Sequence, residues 1–289
     1  MKIGIYDMDS KIPNLALMKI SAYHKKKGDI VEFYSPLFHE SYDKIYASKI
    51  FTFSSNGYIR KNMIIGGSGY DLEKKLPHEI EHIYPDYNLY SCDYAMGFMT
   101  RGCIRKCPFC IVSKKEGNIQ FNAHLNEFCK EQKEIMLLDN NILSYEKHNE
   151  LLEELIDSKK KIDFNQGLDI RLINPENIQL LKEINMWKHL RFALDNPALI
   201  SLIEDKIELL KELDISFSRI MFYVLIGYNT SFEEDLKRVL FLQNYGFSIF
   251  VMPFNKFDQY QKNFTRWVNR FFYKYIDFKN YIKNKEIKL

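Results

Sequence analysis

From Ala95 to Pro253 the chain alternates short apolar runs with longer segments of helical periodicity, a pattern that few architectures accept. The apolar runs are Ala95 to Thr100, Glu134 to Asp139, Lys161 to Asn165, His189 to Asp195, Ser218 to Ile226 and Gly246 to Pro253. Between them, Asn122 to Glu131, Ser144 to Ser158, Pro175 to Ile184, Ala198 to Leu213 and Ser231 to Tyr245 read as helices. Their starts carry capping chemistry: Ser144 precedes Glu146, Pro175 follows Asn174, and Ser231 leads Glu233, Glu234 and Asp235. Right-handed crossovers through such helices make the strands parallel, and six units are too few for the usual eight-unit closure. The expected fold class is α/β, an open partial (β/α)6 barrel of the TIM kind, with ligands at the carboxyl ends of its strands.

Upstream, Lys2 to Asp7, a helix from Pro13 stopped by Gly28, and strands at Ile30 to Tyr34, Lys49 to Ser54 and Asn62 to Ile65 predict a small Rossmann-like parallel sheet. The last of these runs into Gly66-Gly67-Ser68-Gly69, which could approach a ligand closely but is by itself a weak turn signal. Leu76 to Tyr94, with Pro77 and Pro85, reads as a linker. The expected organisation is 1–75 Rossmann-like, 76–94 linker, 95–253 partial barrel and 254–289 a basic, aromatic carboxyl-terminal segment with a helix from Phe264 to Ile282.

No apolar run approaches the length of a membrane span, and Asp7 and Asp9 interrupt the amino terminus before any long apolar stretch, so a cytoplasmic protein with no membrane contact is expected. In a reducing compartment, five cysteines with three packed into eight residues indicate metal binding rather than a disulfide framework.

Those three stand in Thr100-Arg101-Gly102-Cys103-Ile104-Arg105-Lys106-Cys107-Pro108-Phe109-Cys110, a Cys-x3-Cys-x2-Cys spacing on one loop. Soft thiolates suit iron-sulfur clusters, and a four-iron cubane with three local ligands keeps one iron open. This spacing, after a strand and ahead of an α/β alternation, with the aromatic Phe109 before the last cysteine, resembles the signature of the radical S-adenosylmethionine superfamily. The resemblance covers roughly Ala95 to Pro253 and is specific only in the cysteine loop. It implies a [4Fe-4S] cluster on Cys103, Cys107 and Cys110, and chelation of S-adenosyl-L-methionine by the open iron. It also implies an external electron donor such as flavodoxin or ferredoxin, and a 5′-deoxyadenosyl radical that takes hydrogen from a substrate the sequence does not identify. The protein's part is to exclude water and position the partners.

The same resemblance marks strand ends as cofactor contacts. Asp139 and Asn140 end the second strand, where the methionyl amino group is met; turn and cap formation is the competing reading. Gln166 and Arg171 follow the third strand, and Arg171 could grip a carboxylate or pair with Asp169 instead. Asp195 follows the fourth at the ribose position, beside Asn196, which could simply cap a helix. Ile226 before Gly227 ends the fifth and resembles an adenine contact. The amino-terminal part is similar to a shortened cobalamin-binding domain, yet no Asp-x-His-x-x-Gly occurs, and with His24 and His39 expected at the surface, bound cobalamin is disfavoured.

Two other readings compete. A zinc site would recruit Cys92, His124 or Cys129 as fourth ligand, and a thioredoxin-like Cys107-Pro108-Phe109-Cys110 pair would leave Cys103 unexplained. Net charge is +3, but Asn255 to Leu289 holds nine Lys or Arg against three acids, so this stretch carries +6 and the rest −3. Lys262, Arg266, Arg270 and Lys274 interleave with Phe264, Trp267, Phe271, Phe272, Tyr273 and Tyr275, which suits either nucleic acid or a docking helix with a solvated basic face. A non-enzymatic zinc or iron-sulfur protein that contacts nucleic acid through this segment is the alternative to an enzyme. Methylthio-transferring relatives modify transfer RNA, but the auxiliary cysteines and RNA-binding domain they carry have no counterpart in this sequence.

Overall fold

The computed structural model describes residues 1–286, with side chains described through 283; residues 287–289 of the basic segment lie outside the described residues. The fold is mixed α/β with several parallel sheets, and it divides into two compact units, Met1–Asn140 and Asn141–Leu289.

In the first unit, β1 (Lys2–Asp7), α1 (Leu15–Lys26), β2 (Ile30–Phe33), β3 (Lys44–Ser48) and β4 (Met63–Gly66) build a parallel sheet in the order β2-β1-β3-β4. Asn14 caps α1, its side chain accepting from Leu17 N at 3.2 Å, and Leu17 and Ile20 pack on Ile3 and Ile5 of β1. A short helix α2 (His78–Glu81) follows, then β5 (Ala95–Gly97), β6 (Thr100–Arg101), α3 (Val112–Lys115), β7 (Gln120–Phe121) and β8 (Glu134–Leu137). β5 pairs in parallel with β8, whereas β6 and β7 form an antiparallel ribbon.

The second unit runs α4 (His148–Asp157), β9 (Lys161–Phe164), α5 (Pro175–Glu183), β10 (Leu190–Ala193), α6 (Leu199–Lys211), β11 (Ile220–Ile226), α7 (Phe232–Asn244), β12 (Ser248–Pro253), α8 (Gln259–Asn269) and α9 (Phe278–Glu286). Strands β10, β11 and β12 are parallel neighbours, and bridges at Ile162–Met186 and Leu168–Phe192 continue the parallel arrangement around β9. β11 alternates strictly, burying Ile220, Phe222, Val224 and Ile226. Capping boxes open α5 (Asn174 with Asn177) and α7 (Ser231 with Glu234), at the helix starts expected after Asn174 and Ser231.

Several expectations fail for local reasons. The third strand is Lys44–Ser48, not 49–54, because the N–H groups of Ile50 and Phe51 go to the Asp9 carboxylate at 2.7 and 3.0 Å instead of a ladder. Gly67 and Gly69 wrap this same backbone so closely that a Cβ on either would meet Lys49 O or Phe51 C within 2.5 Å; their smallness serves chain packing. The strand expected over 95–100 is broken into β5 and β6. The segment 76–94 is no loose linker: Ile80 joins the core, and buried Tyr87 donates to Phe128 O at 2.5 Å. No helix spans 122–131, only a 3-10 turn at Leu125–Glu127; β7 runs to Phe121, and the side chain of Asn122 donates to Phe98 O. Ser144 does not cap; its hydroxyl donates to Asn141 O, and the helix begins at His148. The helix expected over 264–282 is split at Phe271, which takes φ +62°. His24 and His39 are buried, not surface, side chains: the His24 nitrogens lie 2.7 Å from Asp29 Oδ2 and 3.0 Å from Tyr46 Oη, and His39 Nδ1 lies 3.1 Å from Tyr34 Oη.

One fully buried cation organises the second unit. Arg238 Nη1 donates to Leu194 O (2.8 Å), Asp195 O (3.0 Å) and Leu225 O (2.9 Å), and Nη2 donates to Asp235. Asp235 Oδ2 in turn accepts from Gly227 N at 3.2 Å and Tyr260 Oη at 2.8 Å, which ties α7 and α8 to the ends of β10 and β11. Arg238→Ala strands the buried Asp235 carboxylate and is expected to lower stability by about 3–5 kcal/mol. Exposed Lys237→Ala should stay within about 0.5 kcal/mol of the parent, both read from urea unfolding of the two variants.

Candidate metal centre

The β6–β7 ribbon pairs Thr100 with Phe121 and Arg101 with Gln120, closing the base of a loop that carries all three clustered cysteines. Gly102 starts it at φ +87°, where a Cβ would lie 2.2 Å from Asn118 O, so only glycine fits. Its N–H donates to Asn140 Oδ1 at 3.0 Å, and Cys103 N donates to Gly117 O at 3.3 Å.

Asp139 is buried beneath this start. Its carboxylate accepts from Met99 N (3.1 Å), Thr100 N (2.5 Å) and Thr100 Oγ1 (2.7 Å). Burial pushes its carboxyl up to about 6, a rise that the Thr100 and Met99 donors only partly offset. The side chain of this candidate cofactor contact therefore fastens the loop to the end of β8.

Arg101 anchors the other side of the base. Its guanidinium donates to Asn122 Oδ1 (3.1 Å), pairs with Glu116 (3.3 Å) and Glu81 (2.6 Å), and lies 3.9 Å over the Phe98 ring. Glu81 also binds buried Lys19 of α1 at 2.8 Å. Burial alone would raise the Glu81 carboxyl, but Arg101 and Lys19 outweigh it and hold it below its ordinary range; burial depresses the Lys19 ammonium despite Glu81. Sequence reasoning missed this network, although Arg101 directly precedes the cysteine motif.

Cys103, Cys107, Cys110 and Phe109 are half-buried. Arg105 N donates to Cys103 Sγ at 3.3 Å and Val112 N to Cys110 Sγ at 3.5 Å, while Cys110 N donates to Cys107 O at 3.0 Å. Among the described residues no three His, Cys, Asp or Glu side chains converge as a ready metal-ligand group. As a donor set the three cysteines nevertheless fit a soft metal cluster: three sulfurs on one pinned loop, two of them receiving backbone N–H, with Arg105 and Lys106 between them. Cys92 and Cys129 turn to local carbonyls, their Sγ atoms 3.3 Å from Tyr94 O and 3.8 Å from Gln132 O, and the His124 ring packs on Phe121.

The second unit places the remaining candidates. Gln166 is exposed. Arg171 grips Asp169 through two bonds, Nε to Oδ1 at 2.5 Å and Nη2 to Oδ2 at 2.9 Å, the internal pair that competed with carboxylate binding. Asp195 Oδ1 accepts from Leu225 N at 2.9 Å; burial raises its carboxyl, and that donor with the charges of Arg238 and Arg171 works against the rise. Asn196 Oδ1 caps locally, accepting from Ala198 N. Ile226 is fully buried, and a Cβ on Gly227 would collide with the Gln261 amide at 2.2 Å, so this glycine is required by internal packing. No helix among the described residues is long and apolar enough to cross a membrane. No protein-family model matches the chain, and no curated protein matches it.

Asp139 generates a pH signature. Its folded value of about 6 lies above the ordinary 3.8, so the folded state holds the proton more tightly. Its contribution to stability is complete below pH 4 and falls as pH rises to about 6, by roughly 3 kcal/mol at most. Asp139→Asn removes that slope: the stability difference between parent and variant, from chemical denaturation at several pH values, should change across this window and level off above it. A constant difference from pH 4 to 7 counts against the assignment.

Proposed function

We propose that this chain is a radical S-adenosylmethionine enzyme in which Cys103, Cys107 and Cys110 bind a [4Fe-4S] cluster. Strands β5, β8, β9, β10, β11 and β12 are read as the staves of an open partial (β/α)6 barrel; the parallel pairing of β5 with β8 and of β10 with β11 and β12 supports that reading. The observation that carries the proposal is the Cys-x3-Cys-x2-Cys loop itself, closed at its base and with backbone N–H groups directed at two of its three sulfurs. When bound together, cluster and S-adenosyl-L-methionine supply one-electron cleavage of a sulfonium bond, giving methionine and a 5′-deoxyadenosyl radical that takes hydrogen from substrate.

The chain's own residues hold and orient. Three thiolates from one short loop supply only three of a cubane's four corners, which is the requirement for an open iron. The N–H donors at Cys103 and Cys110 offset thiolate charge, as outer-shell donors do around metal ligands. Asp139, Asn140 and Arg101 keep the loop base in register. The candidate reductant is a flavodoxin or ferredoxin, and the compartment a cytoplasmic one.

Anaerobic reconstitution with iron and sulfide tests this. About four irons and four sulfides per chain are expected, and dithionite with S-adenosyl-L-methionine should then release 5′-deoxyadenosine. Alanine at Cys103, Cys107 or Cys110 should abolish both, whereas Cys92→Ala and Cys129→Ala should retain them. A single zinc with no donor cleavage would remove the enzyme reading.

A further inference from the structure

Helix α8 divides its surface sharply. Phe264, Trp267 and Val268 are buried, and Trp267 Nε1 donates to Ile276 O at 2.8 Å, which docks the helix and pins the turn after it. On the opposite stripe stand Lys262, Arg266 and Arg270, all exposed and each four residues from the next, hence roughly 6 Å apart along the axis. None of the three has a carboxylate partner among the described residues. Three aligned cations repel one another, a cost that an anionic partner would relieve.

Exposed aromatic rings stand at both ends of this stripe. Before α8, Phe257 is 78% exposed, with Lys256 Nζ 5.0 Å over its ring. After α8, Phe271 is 53% exposed, with Lys274 Nζ at 5.4 Å, and Tyr275 is 87% exposed. These rings are not unused core, because Trp267 and buried Tyr273 occupy the core positions 6.1 Å apart. Phe271 takes φ +62° where the chain leaves α8, a conformation that costs a bulky residue energy.

We propose that this face binds single-stranded nucleic acid, with Lys262, Arg266 and Arg270 along the phosphates and Phe257, Phe271 and Tyr275 stacking on bases at either end. An acidic protein or lipid surface would satisfy the cations but gives the rings nothing planar to stack on, and a duplex keeps its bases out of reach. The inference rests on this surface alone and needs no bound cluster.

Fluorescence anisotropy of the full chain with labelled oligo(dT) and oligo(U), each longer than a site of roughly 4–16 nucleotides, tests it over a salt series. Binding of either oligomer is expected, weakening steeply with salt. The Lys262→Gln, Arg266→Gln, Arg270→Gln triple variant should reduce the log K against log salt slope by about 2, or about 0.7 for each charge. Phe257→Ala and Tyr275→Ala should each weaken binding by roughly 5- to 100-fold. Circular dichroism melts are expected to match the parent because all five side chains are exposed; should the triple variant unfold, Arg266→Gln alone carries the charge arm, with a slope change of about 0.7. Absence of binding by the parent at low salt overturns the proposal. So does an unchanged slope in the charge variant, parental affinity in both aromatic variants, or equal affinity for a duplex of the same length.

Discussion

The buried carboxylate of Asp139 decides where the cysteine loop leaves the body of the protein. A carboxylate out of water is costly unless donors surround it, and here the donors are the backbone N–H groups of Met99 and Thr100 with the Thr100 hydroxyl. Both N–H groups belong to the chain just before Cys103, so partly offsetting the cost of the charge and fixing the loop's origin are one event. Sliding the loop by a residue would leave the carboxylate facing the wrong donors. Asn140, next in sequence, repeats the device on Gly102 and extends the control to the first glycine of the loop.

The loop base is held from the amino-terminal side by charge. Lys19, Glu81, Arg101 and Glu116 form an alternating chain of cations and carboxylates running from α1 to the cysteine loop. Formal charge cancels along it, which suits its partial burial, and the depressed Lys19 and Glu81 values report burial in the first and neighbouring cations in the second. The amino-terminal sheet thus contributes to the loop a helix whose lysine fixes Glu81. His24 and His39 are engaged in the packing of that sheet, with Asp29, Tyr46 and Tyr34 as partners.

The sequence made visible whatever depends on periodicity and caps. β11 alternates in its burial as its residues alternate in character, and α5 and α7 begin at Asn174 and Ser231 because their capping partners lie three residues on. It failed where a distant side chain claimed the backbone: Asp9 takes the N–H groups of Ile50 and Phe51, and Trp267 ties Ile276 across a break in the expected final helix. The cysteine loop was legible because its three thiols are local in sequence. Its supports were not: Thr100 meets Asp139 and Arg101 meets Glu81 only through the fold, and nothing in local pattern distinguishes Arg238 from an ordinary helical cation.

Arg238 and Asp139 solve the same problem with opposite charge. Strand ends present backbone groups that no ladder completes, carbonyls at Leu194, Asp195 and Leu225 in one unit and N–H groups at Met99 and Thr100 in the other. A guanidinium matches the first set and a carboxylate the second, and each is buried deeply enough that loss of any partner is costly. The cysteine sulfurs are treated differently: they are half-buried and receive single, longer N–H contacts. Those sulfurs sit on a loop that starts from a fixed place, which is what the buried Asp139 carboxylate provides.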